Sequence, residues 1–380
     1  MAQRAIRSVF MRGGTSKALM FHLADLPADR SAWDAIFLAA MGSPDPYGRQ
    51  LDGMGGGISS LSKVCIVGPP TRPDADVDFT FAQLAVDAPL VDYAGNCGNM
   101  SSAIGPFAVD EGLVPPPPDG TTMVRIHNTN TRKIIHAHFA VAGGKAAVCG
   151  NLAIDGVSGR HAAIRLDFID PEGAKTGRAL PTGNPVDRLE IQGFGTLEAS
   201  LVDVANPSVF VRASDLGLDG TEMPEAIERD TGMMALLETI RAVASVQMGM
   251  AADMAAAHRQ GSQPKIALIA RPRDTSTLAG AVLRADDHDI LCRMISMGRP
   301  HRAIPITGAL CLAAAARIPG TTAAGLLGPV AGPDIRIGHP SGTTLVGAEV
   351  ETSGGATRIV HATIYRTARR LFQGEVMYVG

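Results

Sequence analysis

The chain has 380 residues, 46% of them hydrophobic and only 4% aromatic, and a formal net charge of −3. That length exceeds the size at which a single hydrophobic core stops growing, so two domains of nearly equal size are expected. The near-neutral balance excludes the broad basic field that nucleic acid or an anionic membrane would need, and leaves a small molecule as the expected partner.

Five cysteines (Cys65, Cys97, Cys149, Cys292 and Cys311) form an odd, scattered set without CxxC spacing, which reads as a reducing, cytoplasmic setting. The opening MAQRAIRSVF lacks the apolar core of a signal peptide. No run approaches the ~20 apolar residues of a membrane span. This composition is also compatible with a homo-oligomer.

Taken in chain order, RSVFMRGGTSKALMFHLADLP (7–27) predicts strand, small-residue turn and strand, closed by a DLP stop. SAWDAIFLAAMG (31–42) is apolar at helical spacing and predicts a helix. LDGMGGGISSLSKVCIVG (51–68) leads a glycine-rich run up to Lys63 and into an apolar strand, which ends in the turn PPTRPD. In DYAGNCGNMSSAIGPFAVDEGLV (92–114), Asn96 and Cys97 precede a helix that is apolar on nearly every face and so belongs inside its domain. TMVRIHNTNTRKIIHAHFAV (122–141) predicts a hairpin turning at NTNT.

The same order of segments then returns. TLEASLVDVANPSVFVRASDLG (196–217) repeats the first hairpin, with ANPS in place of GGTS, and MMALLETIRAVASVQMGMAADMAAAH (233–258) predicts one long helix. KIALIARPRDT (265–275) repeats the strand, PITGALCLAAAARIPG (305–320) the buried helix, and PDIRIGHPSGTTLVGAEVE (333–351) the closing hairpin. An internal repeat of this kind predicts two α+β domains, 1–184 and 185–380, each a mixed sheet curled around a central helix. The boundary is expected near PTGNPVDRLEIQGFG (181–195), and a cleft between the two helix starts.

Lys63 and Cys97 carry the chemistry, because each ends a glycine-rich approach of backbone. Alone, Lys63 would read as a solvated lysine before a strand and Cys97 as a buried thiol, although a helix start favours a thiolate. The turn Gly13, Gly14, Thr15, Ser16, Lys17, with Arg12 beside it and Asn206 in the second copy, clusters donors suited to a carboxylate. The helix starts add the N–H groups of Gly98, Asn99, Thr307 and Gly308. Asp52 reads either as a loop residue or as one that orients Lys63. Arg299, His301 and Arg302, like Ser341, read either as an anion site or as solvated turns. The string GMGGGISSLSK lacks the GxxxxGK[ST] spacing of a phosphate loop, and His136 and His138 lack nearby carboxylate or cysteine ligands, so neither a phosphate-cradling loop nor a metal site is expected.

The strings MRGGTSK (11–17), GSPDPYGRQLDGMGG (42–56), SSLSKV (59–64), GNCGN (95–99), PTGN (181–184), SMGRPHRA (296–303) and GHPSG (338–342) run along almost the whole chain. Together with the repeat, they resemble the diaminopimelate epimerase fold and, more closely, its methylaconitate isomerase and oxalomesaconate tautomerase branch. The resemblance implies two pseudo-symmetric α+β domains and a cofactor-independent isomerase that moves a proton and a double bond across an allylic unit of a small unsaturated di- or tricarboxylate. It also implies Lys63 as the acid/base residue, and Met54, Ser62 and Asn96 as pocket residues.

The epimerases carry a cysteine at each central helix start, whereas here the second start holds Ile304, Pro305, Ile306 and Thr307. Two-thiol racemisation is therefore not expected. A 2-methylaconitate-like substrate leads, with 4-oxalomesaconate as the alternative within the class and a non-catalytic carboxylate-binding protein as the alternative outside it.

Overall fold

A strand, a two-residue turn and a second strand open the computed structural model, which describes residues 2–328, 330, 332–353 and 356–379. Strands β1 (Gln3–Gly13) and β2 (Ser16–His22) pair antiparallel and close at Gly13↔Ser16. Gly14 turns the chain at φ 51, a left-handed conformation that costs glycine nothing. Helix α1 (Trp33–Met41) stops at Gly42, φ 73, in the left-handed cap. Strand β3 (Lys63–Gly68) runs parallel to β2 and antiparallel to β4 (Val77–Leu84).

After β5 (Val91–Asp92) comes α2 (Gly98–Asp110), buried without interruption from Met100 to Val109. Strand β6 (Gly120–Asn128) lies parallel to β4 and forms the expected hairpin with β7 (Lys133–Ala142). Strands β8 (Lys145–Ala146) and β9 (Ile164–Ile169) then add to β7. Helix α2 packs against β1, β2, β3, β6, β7, β8 and β9, so it is the central helix of its unit.

The second unit starts with β10 (Asp187–Ile191), β11 (Gly195–Val204) and β12 (Asn206–Arg212), successively antiparallel. Its turn is tighter than GGTS: Val204 pairs with Asn206 across Ala205 alone, at φ 58. Helices α3 (Pro224–Arg229), α4 (Thr231–Gln247) and α5 (Met254–Arg259) follow. The single helix expected over 233–258 is thus two, because Gly249 leaves the helical region at φ 72 and Asp253 caps α5 by accepting the Ala256 N–H at 2.7 Å.

Strand β13 (Lys265–Ala270) is parallel to β12. Beyond the short pair β14 (Thr275–Ser276) and β15 (Val282–Leu283), β16 (Ile290–Ser296) runs antiparallel to β13 and to β17 (Arg299–Pro300). Central helix α6 (Ile306–Arg317) and short α7 (Thr322–Leu326) precede β18 (Asp334–His339), which is parallel to β16 and antiparallel to β19 (Gly342–Ser353). Strand β20 (Ala356–Arg366) adds to β19, and β21 (Ala368–Val379) pairs antiparallel with β1.

The order β1, β2, β3, β4, β6, β7, β9 and the order β11, β12, β13, β16, β18, β19, β20 share the same sequence of parallel and antiparallel pairings. The repeat is therefore one strand longer than the hairpins at which it was expected to close. The division also differs from 1–184 and 185–380: the units are 1–169 with 365–380, and 170–364. Two pairings explain the shift. Strand β21 lines up with β1 along its whole length, and the segment before β10 binds within the second unit, where the Asp203 N–H reaches Ala179 O at 2.9 Å.

Candidate active site

Strand alternation decides which way Lys63 points. Val64 and Ile66 of β3 join Leu19 and Phe21 of β2, and Ala82 and Leu84 of β4, in a core shared with α1. The residues between them, Lys63, Cys65, Phe81 and Gln83, therefore lie on the opposite face, toward α2.

Lys63 is 7% exposed. Its Nζ donates to Oε1 of Gln83, the residue directly across the β3–β4 pair, and lies 5.2 Å from the centre of the Phe81 ring. Among the described residues no carboxylate pairs with it. Gln83 is itself fixed, because Nε2 donates to the carbonyls of Ser62 (3.0 Å), Ser59 (3.1 Å) and Leu84 (3.2 Å). Turning the amide over would set its oxygen against these three, so Oε1 stays on the amine.

Cys97 is the N-cap of α2 and half-buried, and its carbonyl accepts the Ser101 N–H at 2.9 Å. The N–H groups of Gly98 and Asn99 precede that first helical bond. Burial pushes the Cys65 thiol well above the ordinary range, the nearby Cys97 adds to this, and Lys63 opposes it. Lys63, Cys65 and Cys97 thus share one neighbourhood. Asn96 Oδ1 accepts from Asn128 Nδ2 at 3.3 Å and Ser101 Oγ at 3.4 Å, so this side chain braces the helix start.

The β1–β2 turn lies against the first turn of α2. A Cβ on Gly13 would come within 2.7 Å of Asn99 O, and one on Gly14 within 2.2 Å of Asn99 Oδ1. Asn99 Nδ2 donates to Thr15 Oγ1 at 3.0 Å, while Asn99 Oδ1 accepts from Thr15 N–H at 3.4 Å and from Arg366 Nε at 3.2 Å. Arg12 Nη1 clamps the turn through Gly14 O (3.0 Å), Thr367 O (3.0 Å) and Thr367 Oγ1 (2.9 Å). Burial, then Arg369, lower the Arg12 value. Ser16 is buried, and Lys17 Nζ lies 5.6 Å from the Phe10 ring centre.

Three expected pocket residues make contacts in the loop before β3. Asp52 is exposed and lines a surface hollow with Gly42, Asp45, Tyr47 and Tyr378, while Lys63 is bound to Gln83. Met54 ties its loop to α1, its N–H reaching Ala40 O at 2.9 Å, and packs on that core. Ser62 is fully buried, and its Oγ donates to Gln50 Oε1 (2.6 Å) and Ile58 O (2.9 Å) to hold the loop shut.

In the second unit, Asn206 Oδ1 accepts from Lys265 Nζ at 3.4 Å. Lys265 opens β13 opposite Ser208, the same register place that Lys63 holds in the first unit, one residue before the Leu19↔Val64 pair. Burial lowers its value and Cys311 opposes the shift. His301 Nδ1 accepts the Ala303 N–H at 3.0 Å; burial lowers the ring, the Ala303 bond opposes this, and Lys265 lowers it further.

Thr307 and Gly308 lie in the first turn of α6, where a Cβ on Gly308 would stand 2.3 Å from Met294 Sδ. The basic cluster disperses: Arg299 is exposed on β17, while Arg302 pairs with Glu225 and offers its carbonyl to Ser341 Oγ at 2.6 Å. Gln83, Cys65, Lys265 and Arg366 escaped the sequence reading. Only the repeat, aligned strand by strand, held a signal for one of them, Lys265.

Among the described residues no group of three His, Cys, Asp or Glu could hold a metal ion, and no helix is long and apolar enough to cross a membrane.

A mixed sheet around one buried helix, built twice, is the architecture of the diaminopimelate epimerase-like isomerases. The chain belongs to the PrpF family, whose model, described as PrpF protein, matches residues 3–379. It is 40% identical to a 2-methyl-aconitate isomerase of Cupriavidus necator, over 100% of this chain and 98% of that one. It is 43% identical to a 3-methylitaconate isomerase of Eubacterium barkeri (98% and 97%) and 39% identical to a 4-oxalomesaconate tautomerase of Pseudomonas putida (99% and 97%). A crystal structure of methylitaconate-delta-isomerase superposes with a TM-score of 0.92 at 42% identity, covering 100% of this chain and 98% of the other. The protein is accordingly an isomerase.

Proposed function

We propose that the protein moves a proton along an allylic unit of a small unsaturated di- or tricarboxylate, with Lys63 as the acid/base group and a 2-methylaconitate-like compound as the first substrate to test. The observation that carries this is the setting of Lys63: a buried amine aimed at the α2 face, bound to a neutral amide oxygen and free of any carboxylate among the described residues. The free amine takes a proton from the carbon next to the alkene. The electron pair moves through the double bond into the adjoining carboxylate to form a dienolate, and the proton returns at the far end of the unit. Atoms and electrons balance without a redox partner.

Charge that develops on the carboxylate needs donors already in place. The N–H groups of Gly98 and Asn99, with the Thr15 hydroxyl beside them, suit that task. Cys97, at the same helix start, polarises the substrate or returns the proton.

The test is incubation with 2-methylaconitate, 3-methylitaconate and 4-oxalomesaconate in deuterated water, followed by proton NMR. One of these should isomerise with deuterium entering at an allylic carbon. If all three stay unchanged and unlabelled while the folded protein still binds them, it is a carboxylate-binding protein and not a catalyst.

A further inference from the structure

Four cations gather at the β1–β2 turn. Arg12 pairs across the sheet with Lys17 on β2 and with Arg369 on β21, and the Arg366 Cδ lies 3.2 Å from where a Cβ on Gly14 would stand. Elsewhere in this unit Arg7, Arg72, Arg125 and Arg370 each hold a carboxylate. Among the described residues none of the four at the turn does. Arg12 is half-buried and feels the charge of Arg369, and Arg366 loses hydration by burial, so an anion placed between these groups would be stabilised.

Two details single out Arg366. Its Nε donates to Asn99 Oδ1 at 3.2 Å and its Nη1 to Tyr365 O at 2.9 Å, which orients the guanidinium and leaves the N–H groups of Nη2 for a ligand. Burial alone pushes its value down to about 10. Beside it, Arg12 Nη2 is buried with no hydrogen-bond partner among the described residues. The geometry points to Arg366 as a substrate-binding residue whose guanidinium, steered by Asn99, takes one carboxylate of the polycarboxylate at the first turn of α2. This assignment rests on the functional reading above and adds the group that selects for a second negative charge. A residue that only propped up Asn99 would leave ligand charge without influence.

Tricarballylate serves as the probe. Arg366→Gln should weaken its binding by calorimetry, and raise KM for the isomerised substrate, by roughly 10- to 100-fold, the worth of a charged hydrogen bond. The melting temperature and kcat should change little, and Arg366→Lys should recover part of the loss. If Arg366→Gln does not fold, phenylglyoxal labelling of the wild type decides: tricarballylate should protect Arg366, while exposed Arg4 stays reactive.

Unchanged Kd and KM in a folded variant, or no protection, overturns the assignment. A wild type that binds tricarballylate through Arg366 yet neither isomerises nor exchanges protons overturns the functional reading instead and leaves Arg366 in place.

Discussion

Lys63 and Gln83 face each other across neighbouring strands, and the amine donates to an amide oxygen that three backbone carbonyls prevent from turning away. Lys63→Met should abolish turnover and deuterium exchange, a loss of at least about 10³-fold, while tricarballylate binding and folding persist. Exchange surviving in the folded variant would assign the proton transfer to another group.

Gln83→Leu leaves the amine without its acceptor and three carbonyls without a donor. The expected cost is about 1–3 kcal/mol in stability, together with a fall in kcat, because Lys63 loses the contact that aims it. Urea unfolding and steady-state kinetics on one sample check both. A variant that melts lower with kcat intact would make Gln83 purely structural.

Cys97→Ser keeps the N-cap and a small polar group at the start of α2, and should retain part of the activity that Lys63→Met removes. Should Cys97→Ser be the more damaging change, the thiol and not the amine would be the principal proton carrier.

Gly14 meets two constraints together, φ 51 and an Asn99 oxygen 2.2 Å from any added Cβ. Gly14→Ala should cost about 2–4 kcal/mol and raise KM, since moving the turn also displaces Asn99 and Arg366. Thermal unfolding with a KM determination tests this, and a neutral result on both would show that the turn yields freely.

Glu111 sets a pH limit on stability. Its side chain is 6% exposed and holds Arg7 (2.9 Å), His22 (3.1 Å) and Arg370 (2.6 Å). Although burial would raise it, the bonds from Arg370 and His22 hold the carboxyl below its usual range. A carboxyl depressed in the folded state stabilises above its unfolded value, about 4.3, and that contribution fades as pH falls through the lower folded value. Glu111→Gln should cost about 2–4 kcal/mol at pH 7 and flatten the loss of stability toward acid, as read by unfolding at several pH values.

What the chain determined by itself is what local pattern records. The apolar strand segments of 7–22 and 64–68, the largely apolar helices after Cys97 and Pro305 and the doubled order of segments already imply two α+β units. Lys63, Cys97, Asn99 and the GGTS turn were legible as candidates because glycine-rich approaches and helix starts leave marks within a few residues.

Tertiary structure alone decided the partners. Gln83 lies 20 residues from Lys63, and Arg366 lies 267 from Asn99, distances over which no periodicity reports which strand meets which. The same blindness misplaced the boundary, since only pairing shows that 368–379 returns to β1. Asp52 likewise read equally as a loop residue or as a neighbour of Lys63, because nearness along the chain says nothing about which side of a folded loop a carboxylate will occupy.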